Sequence, residues 1–328
     1  MLRFGIVGTN VISDWFAEAV ASRADATVAA VYSRATASGD TFAQRHGIAS
    51  ATTHYEAMLD AVDAVYIASP IIAHHPQAMT ALAADRHVLV EKTMAGSAPQ
   101  IAQIQSAAAA SGLIAMEAVR SLYTPAYAAI RAGLDRLGTL RQASLSKQQY
   151  SSRYDAFRAG EILRAFDPAL ENSALADIGV YVLQPALDLF GLHPDTADGA
   201  SVYLHNGFEG AGTLTLGYPG TVVSVTWSKI THGVTPSVIT GEDASLVIDD
   251  LAETGSVVLR PRGGTPETLF AQTPPAPGNT MSGEIDAFLA QVASGVPDPH
   301  RTEVTLAARR LMDAHLARPY TTSDSALR

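Results

Sequence analysis

The sequence contains no cysteine, which excludes disulfide scaffolds, thiolate metal sites and cysteine nucleophiles. It also lacks any run of the roughly 20 apolar residues that a membrane span needs, so we expect no membrane partner. Basic residues are few: 22 lysines and arginines stand against 32 aspartates and glutamates, for a formal net charge of −10. This balance argues against nucleic-acid binding. No charged segment followed by an apolar one opens the chain, so we expect a cytoplasmic location.

The residues that are present indicate two folded domains. Of 328 residues, 47% are hydrophobic and 16% are charged, which is typical of a globular protein with a sizeable core. In the first third, nearly continuous apolar runs alternate with segments of helical spacing, a pattern typical of a parallel sheet with helices on both faces. The predicted strands are Leu2–Val7, Thr27–Tyr32, Ala64–Ser69, His87–Glu91 and Leu113–Ala118. We therefore predict an α/β protein whose first domain, residues 1–119, is a Rossmann domain with a doubly wound parallel sheet.

The pattern changes after Val119. Several strand-like runs follow one another between Ala200 and Leu259 without intervening helices, which indicates an antiparallel sheet. Helical spacing predicts helices at about Ser173–Leu189, Met281–Ser294 and Glu303–Ala317. We predict that residues 120–328 form a second domain, of the α+β class, with a mainly antiparallel sheet.

A nucleotide-binding turn is predicted between the first strand and the helix after it. Residues 8–13 read Gly-Thr-Asn-Val-Ile-Ser, in the place of the glycine-rich fingerprint whose helix N-terminus binds a pyrophosphate. Gly8 allows the tight turn, whereas Asn10 replaces the second glycine and is expected to crowd the phosphate. The motif alone is equally consistent with an ordinary turn, but the surrounding strands favour a dinucleotide site. The candidate cofactor-binding residues here are Gly8, Thr9, Asn10, Val11 and Ile12.

The residues at the end of the second strand indicate whether the chain binds NAD or NADP. An NAD enzyme usually has an acidic residue here that binds the ribose 2′-hydroxyl, but none lies between Asp25 and Asp40. Ser33 and Arg34 instead offer a hydroxyl and a cation for a 2′-phosphate. We predict NADP as the cofactor. NAD is the alternative if Arg34 is only a solvated loop residue.

A lysine follows the strand predicted at His87–Glu91. Lys92 lies in the run Val-Glu-Lys-Thr of residues 90–93, at the carboxyl edge where ligands bind in open α/β sheets. Taken alone, Lys92 is equally consistent with a surface charge. In a dinucleotide-binding domain this position favours a role in catalysis.

The predicted helix after residue 173 carries a D-x-G-x-Y motif. Asp177 and Tyr181 are four residues apart and therefore lie on one face of an α-helix. Gly179 between them costs about 1 kcal/mol relative to alanine in a helix, so its presence indicates a close approach to the backbone. By itself, Tyr181 is more typical of an aromatic residue at the edge of a core.

Together these residues suit hydride transfer, in which the substrate oxygen loses or gains a proton. A tyrosine with a pKa near 10 needs a nearby cation if it is to act as a base at neutral pH. Lys92 is the candidate cation, and it would also polarise the substrate oxygen. Asp177 would orient the pair or bind a substrate hydroxyl. We therefore predict Lys92, Tyr181 and Asp177 as the catalytic residues.

Several motifs, in this order, resemble those of the glucose-fructose oxidoreductase/inositol dehydrogenase (Gfo/Idh/MocA) family: GIVGTN, SPIIAHH, EKT, MEAVR and FDPALENSALADIGVYVLQPAL. The resemblance spans essentially the whole chain. It is greatest to the branch of glucose-fructose oxidoreductase and dimeric dihydrodiol dehydrogenase, in which a tyrosine lies on the catalytic helix. It implies a second domain with an open sheet that binds substrate and often forms the dimer interface. It also implies NAD(P)-dependent chemistry on sugars, cyclic polyols or related diols by a homodimer or larger homo-oligomer.

The resemblance also assigns residues. Lys92 matches the catalytic lysine of the family, and Tyr181 matches its general acid/base. Further matches lie in the loop near the nicotinamide, at the lysine motif and at the mouth of the site between domains, and they are Ser69, Pro70, His74, Glu91, Glu117 and Arg120. Of these, all except Glu117 are predicted to bind the cofactor, as is Lys92.

Three positions depart from the family pattern. Thr93 replaces a proline that is often preceded by a cis peptide bond, Asn10 replaces a glycine, and Ile71 replaces an asparagine. These departures motivate an alternative, a non-catalytic dinucleotide-binding sensor or regulatory protein of the same fold. A dehydrogenase of another substrate class, such as an aromatic dihydrodiol or an imine, is a third interpretation. No carboxylate accompanies the histidines at 74–75 at metal-site spacing, so we expect no metal.

Overall fold

The computed structural model describes residues 1–272 and 280–318. These residues form two compact units, one of residues 1–123 with 280–306 and one of residues 124–272 with 307–318. The sequence-based boundary after residue 119 assigned everything beyond it to the second domain. In the structure, residues 280–306 instead belong to the first unit, because Ile285 and Phe288 are part of its hydrophobic core.

The first unit contains a parallel sheet, as predicted. Its strands are β1 (Leu2–Val7), β2 (Ala26–Tyr32), β3 (Ser50–Thr52), β4 (Ala64–Ile67), β5 (His87–Glu91) and β6 (Ala115–Ala118). They lie in the order β3-β2-β1-β4-β5-β6, and every pair is parallel. The strand order reverses direction between β1 and β4, which is where open α/β sheets bind ligands. The three-residue β3 was not predicted, because it is too short to show a pattern.

Helices connect these strands and cover the sheet. They are α1 (Val11–Ala21), α2 (Thr36–His46), α3 (Tyr55–Leu59), α4 (Ile71–Ala83) and α5 (Ala98–Ala110), with α9 (Ser282–Ser294) added from the C-terminal segment. Successive strand residues point to opposite faces, so Tyr66 joins one hydrophobic cluster and Val65 the other. In the first cluster the Tyr66 ring stacks on Phe16, with 3.8 Å between ring centroids. Burial on both faces explains the continuously apolar strands.

The second unit is built on a larger sheet. Its strands are β7 (Leu140–Gln148), β8 (Thr196–Tyr203), β9 (Glu209–Tyr218), β10 (Thr221–Ser228), β11 (Ser237–Gly241), β12 (Ala244–Ile248), β13 (Ser256–Pro261) and β14 (Glu267–Ala271). The order is β14-β13-β12-β11-β7-β10-β9-β8. Only the β7–β10 pair is parallel among the described strands of this sheet. The predicted fold class is therefore confirmed.

Helices of the second unit pack on this sheet. They are α6 (Pro125–Leu134), α7 (Tyr154–Arg158) and α8 (Val180–Phe190), while α10 (Pro299–Leu316) contributes residues to both units. The end of the sheet at β12, β13 and β14 contacts α6, and the strands β7 and β10 contact α8. A π-helical turn, Leu175–Gly179, leads directly into α8. Within the described residues, no helix is both long and apolar enough to cross a membrane.

Candidate active site

The turn after β1 requires a glycine at position 8. Gly8 has a φ of +103°, and its N–H donates to the carbonyl oxygen of Tyr32 at 3.0 Å. A Cβ atom on this residue would lie 3.0 Å from the carbonyl oxygen of Ala68, in close contact with backbone. The turn therefore lies directly against the end of β4, and glycine alone tolerates both constraints.

Asn10 caps α1 instead of obstructing the turn. Its Oδ1 accepts the N–H groups of Ile12 and Ser13, each at 3.1 Å. Its Nδ2 donates to the carbonyl oxygen of Ala68 at 2.7 Å. The side chain is thus directed toward the helix and β4, and its effect on phosphate binding stays a prediction.

Three backbone N–H groups at this turn are available to a ligand. Those of Thr9, Asn10 and Val11 donate to no residue that the structure describes. They surround the N-terminus of an 11-residue helix, whose dipole favours an anion. The arrangement fits the pyrophosphate of a dinucleotide. The N–H of Ile12, another predicted contact, is occupied by the Asn10 side chain.

Ser33 and Arg34 follow β2 and differ in how accessible their side chains are to a ligand. Ser33 is 7% exposed, its hydroxyl is hydrogen-bonded to that of Ser38 at 2.7 Å, and its N–H donates to Thr52. Arg34 is exposed and forms no ion pair with a described residue. The first acidic residue after β2 is Asp40. The strand end therefore presents a guanidinium where an NAD enzyme has a carboxylate.

His74 ties two loops together from the interior. The residue is 1% exposed, with Nε2 at 2.7 Å from the carbonyl oxygen of Ser69 and Nδ1 at 3.0 Å from that of Thr93. Burial lowers the pKa of His74. Pro70 precedes α4, and the Ser69 hydroxyl donates to the Oε1 of Gln77 at 2.6 Å. The buried His74 ring thus braces the loop, and its place beside a cofactor stays a prediction.

Lys92 lies on a backbone segment anchored by two carboxylates. Glu91 accepts the Tyr66 hydroxyl at 2.5 Å through Oε1 and the Lys92 N–H at 3.3 Å through Oε2. Beyond the lysine, the N–H of Met94 donates to Oε1 of Glu117 at 2.7 Å. The peptide bond that follows Lys92 is cis. These contacts hold Lys92 at the carboxyl end of β5. The Glu91 carboxylate is occupied in holding this segment.

Glu117 and Arg120 are both buried and contact the C-terminal segment of the first unit. Glu117 is 6% exposed, and its Oε2 accepts the Thr305 hydroxyl at 2.9 Å. Arg120 is 7% exposed, and its Nη1 donates to the Thr280 hydroxyl at 2.7 Å. Both partners belong to residues 280–306, the segment that the sequence-based boundary assigned to the other domain.

A second buried carboxyl interacts with Glu91. Glu284 in α9 is fully buried, and its carboxyl oxygens have no hydrogen-bond partner among the described residues. Burial raises the pKa of Glu284 well above its usual value, and the negative charge of Glu91 raises it further, while Arg120 lowers it. Burial also raises the pKa of Glu91. We therefore expect Glu284 to retain its proton above the usual range of a glutamate.

Replacing Glu284 with glutamine is expected to flatten the dependence of Tm on pH. The folded protein binds the Glu284 proton more tightly than the unfolded chain, so this contribution to stability is present below pH 4.5 and is lost as the pH rises toward the folded-state value. Glutamine cannot ionise and removes this loss. Thermal unfolding of both proteins between pH 5 and pH 8.5 should show a Glu284→Gln advantage that grows with pH. The exposed Glu18→Gln is the control, and parallel curves for Glu284→Gln and wild type would contradict the assignment.

In the second unit, the D-x-G-x-Y motif spans a change of helix type. Leu175–Gly179 forms a π turn, and α8 begins at the next residue. Asp177 therefore lies on the π turn and Tyr181 in the first turn of α8, and both are half-buried. The prediction of one continuous α-helix is wrong here. Such π turns are rare and frequently mark functional sites.

Gly179 is required by the indole ring beneath the π turn. A Cβ atom there would lie 3.0 Å from Cγ of Trp227 and 2.7 Å from Cδ1 of Leu175. Trp227 is fully buried in β10 and cannot withdraw. The close approach to the backbone at Gly179, inferred from the sequence, is therefore present.

Asp177 forms an ion pair that the sequence did not suggest. Its Oδ2 lies 2.8 Å from Nζ of Lys229, whose side chain is 4% exposed. The same ammonium donates to the carbonyl oxygen of Ala165 at 2.8 Å. Lys229 lies directly after β10, far from Asp177 in sequence, so neither spacing nor periodicity connects the two.

Glu209 is a second residue that the sequence did not single out. It is 2% exposed and accepts the N–H of Leu175 and Nε1 of Trp227, each at 2.8 Å. Burial raises its pKa. Glu209 thus holds the start of the π turn and the ring beneath it. The one feature of the sequence that could have indicated Glu209 is that it is a glutamate at the start of a strand of otherwise apolar and small residues.

Comparisons with known proteins match this fold to a family and to a solved structure. The family model GFO_IDH_MocA, described as "Oxidoreductase family, NAD-binding Rossmann fold", matches residues 2–119. The solved structure of KijD10, a 3-ketoreductase from Actinomadura kijaniata in complex with NADP and TDP-benzene, superposes with a TM-score of 0.82 at 23% identity, covering 96% of each chain. At this identity the likeness shows the fold.

Curated relatives extend the match into the second unit. Scyllo-inositol 2-dehydrogenase (NADP(+)) IolU of Bacillus subtilis is 39% identical over 295 residues, which are 89% of this chain and 88% of the relative. Trans-1,2-dihydrobenzene-1,2-diol dehydrogenase of Macaca fuscata fuscata is 30% identical over 226 residues, 67% of this chain and 66% of the relative. The prediction of an oxidoreductase acting on CH–OH groups is confirmed. The chain belongs to the Gfo/Idh/MocA family of oxidoreductases.

Proposed function

We propose that this chain is an NADP(H)-dependent oxidoreductase that transfers a hydride to or from a cyclic polyol, a sugar or a related diol, with Lys92 and Tyr181 as its proton-transfer groups. The observation that carries the cofactor assignment is Arg34. Its guanidinium is exposed and forms no ion pair with a described residue, at the strand end where NAD enzymes have an acid. The name of the relative at 39% identity includes NADP(+), which supports the same cofactor.

The residues of the first unit fit this cofactor, which when bound supplies or accepts the hydride. The N–H groups of Thr9, Asn10 and Val11 suit the pyrophosphate, because they have no described partner and lie at a helix N-terminus. Arg34 suits the additional 2′-phosphate through charge-assisted hydrogen bonds. The anchored segment after β5 holds Lys92 at the ligand-binding edge of the sheet.

The proton steps are assigned to side chains of this chain. Tyr181 takes the proton from the substrate hydroxyl during oxidation and returns it during reduction. The ammonium of Lys92 favours the phenolate and polarises the substrate oxygen. Asp177 accepts a hydrogen bond from a neighbouring substrate hydroxyl. Each of the three predicted catalytic residues thus has a role in the reaction.

A ring compound with adjacent hydroxyl groups is the substrate class that we propose. Scyllo-inositol and trans-1,2-dihydrobenzene-1,2-diol, named in the two relatives, are both six-membered carbon rings with neighbouring oxygens. A site with a tyrosine acid/base and a carboxylate suits such a pair of hydroxyls, since one hydroxyl reacts while the other is held. A homodimer and a cytoplasmic location remain predictions.

Replacing Arg34 with alanine is expected to weaken NADPH binding about 10-fold or more, because the charge-assisted contact with the 2′-phosphate is lost. Binding is followed by nicotinamide fluorescence for NADPH and NADH. The affinity for NADH should change little, since NADH lacks that phosphate. Arg310→Ala, at an exposed arginine of α10, is the matched control.

The outcome of this titration tests the whole assignment. An equal loss for both dinucleotides, or no loss in Arg34→Ala, would remove Arg34 from the 2′-phosphate site. Absence of binding to the wild type would overturn the proposed NADP(H)-dependent activity. After binding is established, oxidation of scyllo-inositol, myo-inositol and glucose with NADP+ is followed by absorbance of the reduced nicotinamide.

A further inference from the structure

Lys229 forms an ion pair although its side chain is almost fully buried. It is 4% exposed, whereas the side chain of Lys147, which pairs with Asp250, is 11% exposed. A buried ammonium is costly unless it is paired and hydrogen-bonded. The contacts of the Lys229 ammonium therefore offset the cost of burying its charge.

The surroundings of Lys229 compensate its charge from several sides. Besides Asp177 and the carbonyl oxygen of Ala165, the ammonium lies over the rings of Phe166 and Phe208, at 5.0 and 5.3 Å from their centroids. Both faces favour a cation through the ring quadrupole. The ammonium is thus enclosed by one carboxylate, one carbonyl and two aromatic faces.

The backbone of Lys229 is held as firmly as its side chain. Its N–H donates to the carbonyl oxygen of Gly210 and its own carbonyl oxygen accepts the N–H of Ser151, both at 2.9 Å. The ammonium therefore has a defined position relative to the sheet. A fixed cation restricts the rotation of the carboxylate bound to it.

Asp177 differs from Lys229 in that it is partly open to solvent. Its side chain is 34% exposed, so a carboxylate held on its inner side by Lys229 also reaches the surface of the second unit. It lies on the π turn that leads to Tyr181. An isolated aspartate at such a position rotates freely, whereas one bound to a buried ammonium does not.

We propose that Lys229 is a positioning residue of the active site: it holds the carboxylate of Asp177 in one orientation, so that Asp177 accepts a hydrogen bond from a substrate hydroxyl. The role of Asp177 in this inference rests on the proposed function. The role of Lys229 rests on its ion pair, its burial and its contacts with the two aromatic rings.

The first test is a double-mutant cycle on thermal stability with Asp177→Asn, Lys229→Met and the double variant. Asp177→Asn leaves a buried ammonium without its counter-ion and is expected to lower Tm by about 10 °C. Adding Lys229→Met removes that ammonium and should restore most of the loss. Additive losses would show that the two residues are not paired in solution and would overturn the proposal.

The second test separates positioning from stability, with scyllo-inositol and NADP+ as the assay. We expect Lys229→Met to lower kcat about 10-fold or more at temperatures where it is folded, with KM for NADP+ changed by less than about twofold. The double variant should be no slower than Asp177→Asn, because Lys229 acts through Asp177. An unchanged kcat in folded Lys229→Met would make the residue merely structural and overturn the proposal.

The matched control is Lys147→Met. Lys147 pairs with Asp250 at 2.5 Å, and this aspartate is 33% exposed, close to the value for Asp177. The pair lies in the same unit but away from the D-x-G-x-Y motif in sequence. Its loss is expected to lower Tm while leaving kcat within about twofold of wild type.

Failure of the substrate assignment is distinguishable from failure of this inference. If the wild type oxidises none of the polyols, the proposed substrate class is wrong, and crystal structures of wild type and Lys229→Met decide the positioning role. A rotated or disordered Asp177 carboxylate in Lys229→Met supports it. An Asp177 carboxylate in the same place in both structures overturns it.

Discussion

Replacing Tyr181 with phenylalanine is expected to lower kcat for polyol oxidation by about 100-fold or more, since a positioned acid/base contributes 10²- to 10⁴-fold. The substitution removes one oxygen atom and leaves the ring in the first turn of α8. A phenylalanine cannot accept the substrate proton, so the loss belongs to the chemical step. Binding of NADPH, a function assigned to the first unit, should be unchanged.

The measurement is kcat at saturating substrate and NADP+, with NADPH affinity determined in parallel. Tyr150→Phe is the control, because Tyr150 is an exposed tyrosine of the same unit whose hydroxyl donates to Asp155 at 2.5 Å. It should retain kcat within about twofold. A loss of less than about tenfold in Tyr181→Phe would remove Tyr181 from the proton transfer.

Replacing Gly179 with valine is expected to lower Tm by roughly 6–12 °C, the equivalent of about 3 kcal/mol in a unit of this size. The Cβ atom alone would lie 3.0 Å from the Trp227 ring, and two further methyl groups need space that the buried indole occupies. In an open helix, replacing a glycine with alanine would stabilise the fold by about 1 kcal/mol, and valine would keep part of that gain. Packing against Trp227 makes the expected effect of Gly179→Val on stability unfavourable instead.

Thermal unfolding of Gly179→Val measures this effect, and Ile178→Val is the matched control on the same π turn. Ile178 is half-buried and already β-branched, so its shortening removes one methylene without adding an atom to the interior. Its cost is expected to be about 1 kcal/mol or less. An unchanged Tm in Gly179→Val would mean that the π turn moves away from the indole ring.

Residues that act through local pattern were predictable from the sequence. The apolar runs around Phe4, Tyr66 and Leu89 indicated a parallel sheet because strands buried on both faces need apolar residues at every position. Gly8 was identifiable because a strand that turns into a helix demands a positive φ. Lys92 was placed at the carboxyl edge because a loop residue directly after a parallel strand has no other location.

Other details of the site depended on contacts between distant parts of the chain. His74 matched a cofactor loop in sequence, yet its ring is buried between two carbonyl oxygens. Glu117 and Arg120 matched the mouth of a site in sequence, and in the structure both are buried and bond to residues 280–306. A motif specifies where a residue lies along the chain, and only packing decides whether its side chain reaches solvent.

By itself the sequence determined the class of fold, the glycine turn after β1, the cation after β2 and the D-x-G-x-Y motif, because each depends on residues that are neighbours along the chain. The tertiary structure decided that Lys229 pairs with Asp177, that Glu209 holds the π turn and that Glu284 is buried without a hydrogen-bond partner among the described residues. These are pairings across a sheet or between segments far apart in sequence. The periodicity of the sequence carries no information about these pairings. The cost of burying a charge depends on which group, distant along the chain, contacts it in the folded protein.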